Sequence, residues 1–215
     1  MDDRLAAAMA GLPLVAILRG LRPEEAVAIG QELVAAGFRL LEVPLNSPEP
    51  LASIRLIATA FGDQAMVGAG TVIDPADVAR IGAAGGRLIV TPHTDPEVIA
   101  TAKTAGMACL PGVATPSEAF AALRAGADAL KLFPAETLGP ATLKAWKAVL
   151  PPSAGLLPVG GITPETMAPW RAAGAAGFGL GSALYRPGAS PAEVRRAADA
   201  FVAAWRGPAT AARAP

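Results

Sequence analysis

Short apolar runs of β type alternate with longer helical segments along most of the 215-residue chain, and this alternation constrains the fold more than any other feature. The runs are LVAIL (Leu14 to Leu18), LLEVPL (Leu40 to Leu45), MVGAGTV (Met66 to Val72), RLIVTP (Arg87 to Pro92), MACLPG (Met107 to Gly112), ALKLFP (Ala129 to Pro134), GLLPVGG (Gly155 to Gly161) and GFGLGS (Gly177 to Ser182). Helix starts share one form: RPEEA, DPADV, TDPEV, TPSEA, TPETM and SPAEV each set Arg, Ser, Thr or Asp before Pro, with a carboxylate close behind. Proline suits the first turn because its missing N–H is not needed there, and the acid favours the helix dipole. Gly37, Gly85, Gly106, Gly126 and Gly174 each follow an alanine-rich stretch, as expected of a residue that tolerates the left-handed C-terminal cap. Near-continuous Val, Ile and Leu strands joined by crossover helices predict a parallel sheet covered by helices. Eight such units predict an α/β chain folded as a (β/α)8 TIM barrel, one domain over 1–206, with a flexible C-terminal tail over 207–215. An open doubly wound sheet is the rival. Polar residues at the C-terminal ends of nearly every run favour the barrel, since an open sheet gathers its site at one switch point.

Composition narrows the chemistry. Lys plus Arg and Asp plus Glu both total 18, so no charge excess points to nucleic acid or to an anionic membrane surface. Cys109 is the only cysteine; it lies in an apolar run, where a buried inert thiol is the commoner case, and it has no intrachain disulfide partner. His93 is the only histidine, which excludes a multi-histidine metal site, and no metal or cofactor is expected. The N-terminal MDDRLAAAMAGLP has the wrong charge order and too short an apolar core for a secretory signal, and no run reaches membrane-spanning length; a cytoplasmic protein is the expectation.

In a barrel the active face is built from strand ends and the loops that follow them. The candidates there are Arg19, Glu42, Asn46, Thr71, Pro92, Lys131, Phe133, Gly160, Gly161, Gly181 and Ser182. Lys131 is one of four lysines and alone lies within a strand pattern, ALKLFP. Desolvation inside a barrel lowers an ammonium pKa and frees the amine that attacks a carbonyl. A strand-end lysine that snorkels to solvent or pairs with an acid accounts for the pattern equally well. Glu42 is isolated in LLEVPL at the matching end of another strand, where it could shuttle protons or simply balance Lys131 or Arg19 in a buried ion pair. VGGIT and GLGSALY close the last two strands, the usual phosphate cradle of this barrel, where glycines let backbone amides approach an anion. Ser182 is expected to open a short helix whose dipole adds to that cradle.

With those residues placed, the chain resembles the 2-keto-3-deoxy-6-phosphogluconate and 2-keto-3-deoxy-6-phosphogalactonate aldolase family from about Leu12 to Trp205. The motifs are AILRG, LEVPLNSP, VGAGTV, IVTP, LPGVATPSEA, LKLFPAE, VGGITPE and GLGSALY. The resemblance implies an imine on Lys131, with Glu42 as acid/base. It also implies that Arg19 and Thr71 contact the keto-acid end, that Phe133 packs beside the imine, and that Gly160, Gly161, Gly181 and Ser182 hold a phosphate. PLNSP is similar to the galactonate branch, whereas the gluconate branch carries threonine at the Pro44 position and arginine at the Asn46 position. Val159 points the same way, because gluconate enzymes resemble one another in having threonine there; a hydroxyl at that point could read the C4 stereocentre. The implied partner is a small phosphorylated keto acid, and the implied assembly a homotrimer. His93 departs from relatives that carry asparagine or glycine after the equivalent proline, and is read as a polar loop residue at the barrel mouth. The alternatives are the same chemistry on the gluconate epimer, a metal-independent phosphosugar isomerase with Glu42 as base, and a non-catalytic phosphosugar-binding barrel.

Overall fold

A computed structural model describes residues 2–207, so of the expected 207–215 tail all but Gly207 lies outside the described residues. The apolar runs become β1 (Leu14–Ile17), β2 (Leu40–Pro44), β3 (Met66–Gly70), β4 (Leu88–Val90), β5 (Ala108–Leu110), β6 (Gly112–Val113), β7 (Leu130–Leu132), β8 (Leu156–Pro158) and β9 (Phe178–Leu180). Around them lie α1 (Asp3–Gly11), α2 (Pro23–Ala36), α3 (Pro50–Phe61), α4 (Ala76–Ala83), α5 (Pro96–Thr104), α6 (Pro116–Arg124), α7 (Ala135–Lys147), α8 (Met167–Ala172) and α9 (Pro191–Arg206). Among the described residues no helix is long and apolar enough to cross a membrane.

Among the described residues every strand pairing is parallel, and the strands form a curled sheet in two hydrogen-bonded sections, β5-β4-β3-β2-β1-β9 and β6-β7-β8. The predicted run MACLPG divides into β5 and β6 at Pro111, which has no N–H for the ladder. Its carbonyl still accepts from Lys131 N at 2.9 Å. At the other margin Val159 makes an isolated parallel bridge to Gly179.

The punctuation acts largely as the residues dictate. Thr115 with Glu118 and Ser190 with Glu193 form capping boxes, and Asp95 accepts from Glu97 N at 2.8 Å. Gly37, Gly85, Gly106, Gly126 and Gly174 all have φ between 67° and 107°. DPADV differs in register: Asp74 takes the Ala76 N–H at 2.8 Å, so α4 begins after Pro75. TPETM opens a single 3-10 turn, Pro164–Thr166, ahead of α8. α7 is broken at Gly139, φ 75°, where Pro140 follows.

Alternation along the strands sorts the core into two layers. Leu41, Ile89, Cys109, Leu130 and Leu156 pack beneath the helices, while Leu40, Leu88, Ala108 and Leu157 pack inside the curl. The N-terminal alanine-rich stretch has a structural use: Asp2 caps it through Leu5 N at 3.0 Å, and Leu5 and Ala8 join the inner layer. Burial pushes the Cys109 thiol up to about 12, with the Asp128 charge adding to the shift, which leaves it inert.

Candidate active site

Two residues beyond Leu40 on β2, the same inward face carries Glu42; two beyond Ala129, it carries Lys131 on β7. Both therefore lie over the inner apolar layer, 1% and 7% exposed, and line one small cavity with Ile17, Val90, Leu110 and Val159. Lys131 does not snorkel to solvent. Nor is this the charge-balancing ion pair: Glu42 Oε2 has no hydrogen-bond partner, and among the described residues no ion pair joins Glu42 to Lys131 or Arg19. The carboxylate has room because β3 is bare beside it, where a Cβ on Gly70 would collide with Glu42.

Electrostatics follow from the burial. Desolvation raises Glu42 to about 7, partly opposed by Lys131 and Arg19. Desolvation lowers Lys131 against the pull of Glu42, and Arg19 adds to the lowering. The Lys131 Nζ lies 4.8 Å from the centroid of the Phe133 ring. A carboxyl near 7 can give or take a proton around neutral pH, and a lowered lysine pKa favours the free amine, so the arrangement can offer a nucleophile beside a two-way proton carrier.

Arg19 follows β1 and donates to Asn46 Oδ1 at 2.7 Å, so two predicted residues meet at the rim. Ser47, which the sequence reading did not single out, fixes that meeting: its buried hydroxyl accepts from Gly20 N at 2.9 Å, stapling the loop after β1 to the loop after β2. Thr71, one residue past β3, has φ 56°. A β-branched side chain in left-handed backbone costs about 1–3 kcal/mol, the kind of strain that gathers at working sites. Pro92 closes the turn after β4. Its backbone lies where a Cβ on Gly112 would be, and Thr91 pins the turn by donating to His93 O and accepting from Gly112 N at 3.2 Å. Gly112 in turn pairs with Lys131, so this turn is anchored one strand from the amine. His93 is exposed on it, a polar loop residue as expected.

Gly160 and Gly161, φ 108° and 65°, follow Val159 at the end of β8. Gly181 and Ser182 follow β9, and open space lies where a Gly181 Cβ would be. The expected helix at Ser182 does not form. Leu184 N and Tyr185 N both return to Gly181 O, at 2.8 and 3.0 Å, which closes one tight turn, and the next helix begins only at Pro191. The helix dipole expected there is thereby removed. A cation stands there instead: Arg186 Nε donates to Ser182 O at 2.9 Å. Arg186 is the residue after GLGSALY, and only the turn reveals its nearness.

Residues 5–194 match the family described as KDPG and KHG aldolase, and the chain belongs to that family of aldolases. It is 51% identical over 195 residues, 91% of this chain and 95% of the relative, to the 2-dehydro-3-deoxy-6-phosphogalactonate aldolase of Escherichia coli strain K12. It is 48% identical, over 90% of this chain and 91% of the relative, to a probable 2-dehydro-3-deoxy-6-phosphogalactonate aldolase of Rhizobium meliloti. A solved structure described as "Native KDPGal structure" superposes with a TM-score of 0.90 at 51% identity, covering 91% of this chain and 95% of that one.

Proposed function

We propose that the chain cleaves 2-dehydro-3-deoxy-6-phosphogalactonate to pyruvate and D-glyceraldehyde 3-phosphate through a Schiff base on Lys131. The observation that carries this reading is a buried amine and a buried, unpartnered carboxylate lining one cavity. Neutral Lys131 forms a bond from Nζ to the C2 carbonyl carbon, and Glu42 protonates the departing oxygen, which leaves as water. Glu42, now ionised, takes the proton of the C4 hydroxyl. The C3–C4 bond breaks, its electron pair passes into the protonated imine to give an enamine, and the aldehyde leaves. Protonation at C3 and hydrolysis of the imine release pyruvate and restore the amine.

Arg19, held by Asn46, supplies positive charge for the keto-acid carboxylate, with Thr71 and Pro92 beside it. Phe133 packs against the imine. Gly160, Gly161, Gly181 and Ser182 hold the phosphate, with Arg186 as counter-charge. Val159 supports the galactonate epimer, since its apolar side chain lines the cavity where relatives of the gluconate type resemble one another in having a hydroxyl. We read the strands as one closed (β/α)8 barrel in a single domain over 1–206. The continuity of β5 with β6 through Pro111 and the Val159–Gly179 bridge support closure. A cytoplasmic homotrimer completes the reading on the family resemblance, and light scattering measures the assembly. Pyruvate release from the two C4-epimeric substrates tests the function: faster cleavage of the galactonate epimer is expected. Equal rates overturn the specificity, and no release from either overturns the activity.

A further inference from the structure

We infer that Glu136 is a displaceable carboxylate lying over the anion cradle at Gly160 and Gly161, and that its charge weakens that cradle's hold on phosphate-bearing molecules. The inference rests on the phosphate reading of this loop. Ala135 N donates to Val159 O at 2.8 Å, which ties the first turn of α7 to the end of β8. That tether carries Glu136 onto the glycines: a Cβ on Gly160 would collide with Glu136 Oε2, and one on Gly161 would lie 3.1 Å from Glu136 Cβ and 3.3 Å from Oε2. Among the described residues the carboxylate has no hydrogen bond or ion pair, and the residue is exposed. An acid in a first helical turn is favoured by the dipole in many rotamers. That preference accounts for an acid here, but not for its resting on the two glycines whose amides are read as the phosphate seat.

A phosphate dianion arriving on those amides meets a like charge, so the carboxylate has to swing into solvent. Nothing holds it back. The cost falls on every phosphate ligand, but only the substrate offsets it, through its keto-acid contacts and the bond to Lys131. Inorganic phosphate and the departing triose phosphate have no such contacts. Glu136 therefore keeps the cradle clear of free phosphate and weakens the hold on the phosphorylated product.

Glu136→Gln and Glu136→Ala test this, with Ser182→Ala alongside. Inhibition constants for inorganic phosphate and for glyceraldehyde 3-phosphate are expected to fall roughly three- to tenfold in both Glu136 variants, an effect that shrinks in high salt as exposed charge is screened. Borohydride trapping of pyruvate, which carries no phosphate, is expected to be unchanged. If Ser182→Ala weakens phosphate inhibition while both Glu136 variants leave it unchanged or weaker, the role of Glu136 is rejected and the cradle stands. If Ser182→Ala and both Glu136 variants all leave phosphate inhibition at the wild-type value, the phosphate reading itself is lost, and the inference with it.

Discussion

Two lysine–carboxylate pairs in this molecule have opposite character. Lys103 meets Asp128 at 2.5 Å, with the carboxylate 3% exposed and also accepting from Cys109 N at 2.9 Å and Asp2 N at 2.8 Å. It joins α1, α5, β5 and the approach to β7, and its charges are spent on one another and on backbone donors. Lys131 and Glu42 are as deeply placed but, among the described residues, no hydrogen bond or ion pair joins them, and an oxygen of Glu42 is left without a partner. A satisfied pair gives structure; desolvation of an unpaired one lowers the Lys131 ammonium from its ordinary value and raises the Glu42 carboxyl to about 7.

The largest effect expected from breaking this contrast is at Lys131. Lys131→Ala removes the nucleophile and is expected to lower kcat by roughly 10⁴-fold or more, measured by pyruvate release, while the fold is kept. Next is Glu42→Gln, which is expected to lower kcat by about 10²–10³-fold and to abolish the acid limb of the pH–rate profile, centred near 7 in the wild type. The third change addresses the other pair. Asp128→Ala leaves Lys103 and backbone donors without their acceptor and is expected to lower stability by about 2–3 kcal/mol in denaturant melts, with kcat retained below the transition.

The pH dependence of stability sharpens the comparison further. The folded state holds the Glu42 proton more tightly than the unfolded state, so the contribution of Glu42 to stability falls as pH rises from the ordinary carboxyl value of 4.5 to about 7 and levels off above. Glu42→Gln is expected to lack this loss and to gain up to roughly 3 kcal/mol relative to wild type across the window. Parallel stability profiles for the two proteins would contradict a buried, reluctantly ionised carboxyl.

The inward placement of Lys131 and Glu42 was legible in the sequence because each is a charge alone in an apolar strand, and period-two alternation fixes the face it occupies. The strand–helix order was legible for a similar reason, since proline starts and glycine stops act through local backbone geometry. What depends on tertiary approach was not legible. The break of one run at Pro111, the packing of α1 into the inner layer and the missing helix at Ser182 are decided by neighbours distant in sequence. Ser47, Gly70, Arg186 and Glu136 belong to this group too, since each matters only for what a loop or strand brings against it. Gly70 reads as any strand glycine until the Glu42 carboxylate is found in the space it leaves.

Reduction with borohydride in the presence of pyruvate, followed by peptide mass mapping, tests the central claim most directly. The account predicts a single reduced pyruvyl adduct on Lys131, with Lys103, Lys144 and Lys147 unmodified. Active enzyme that yields no adduct, or an adduct on another lysine, would contradict it.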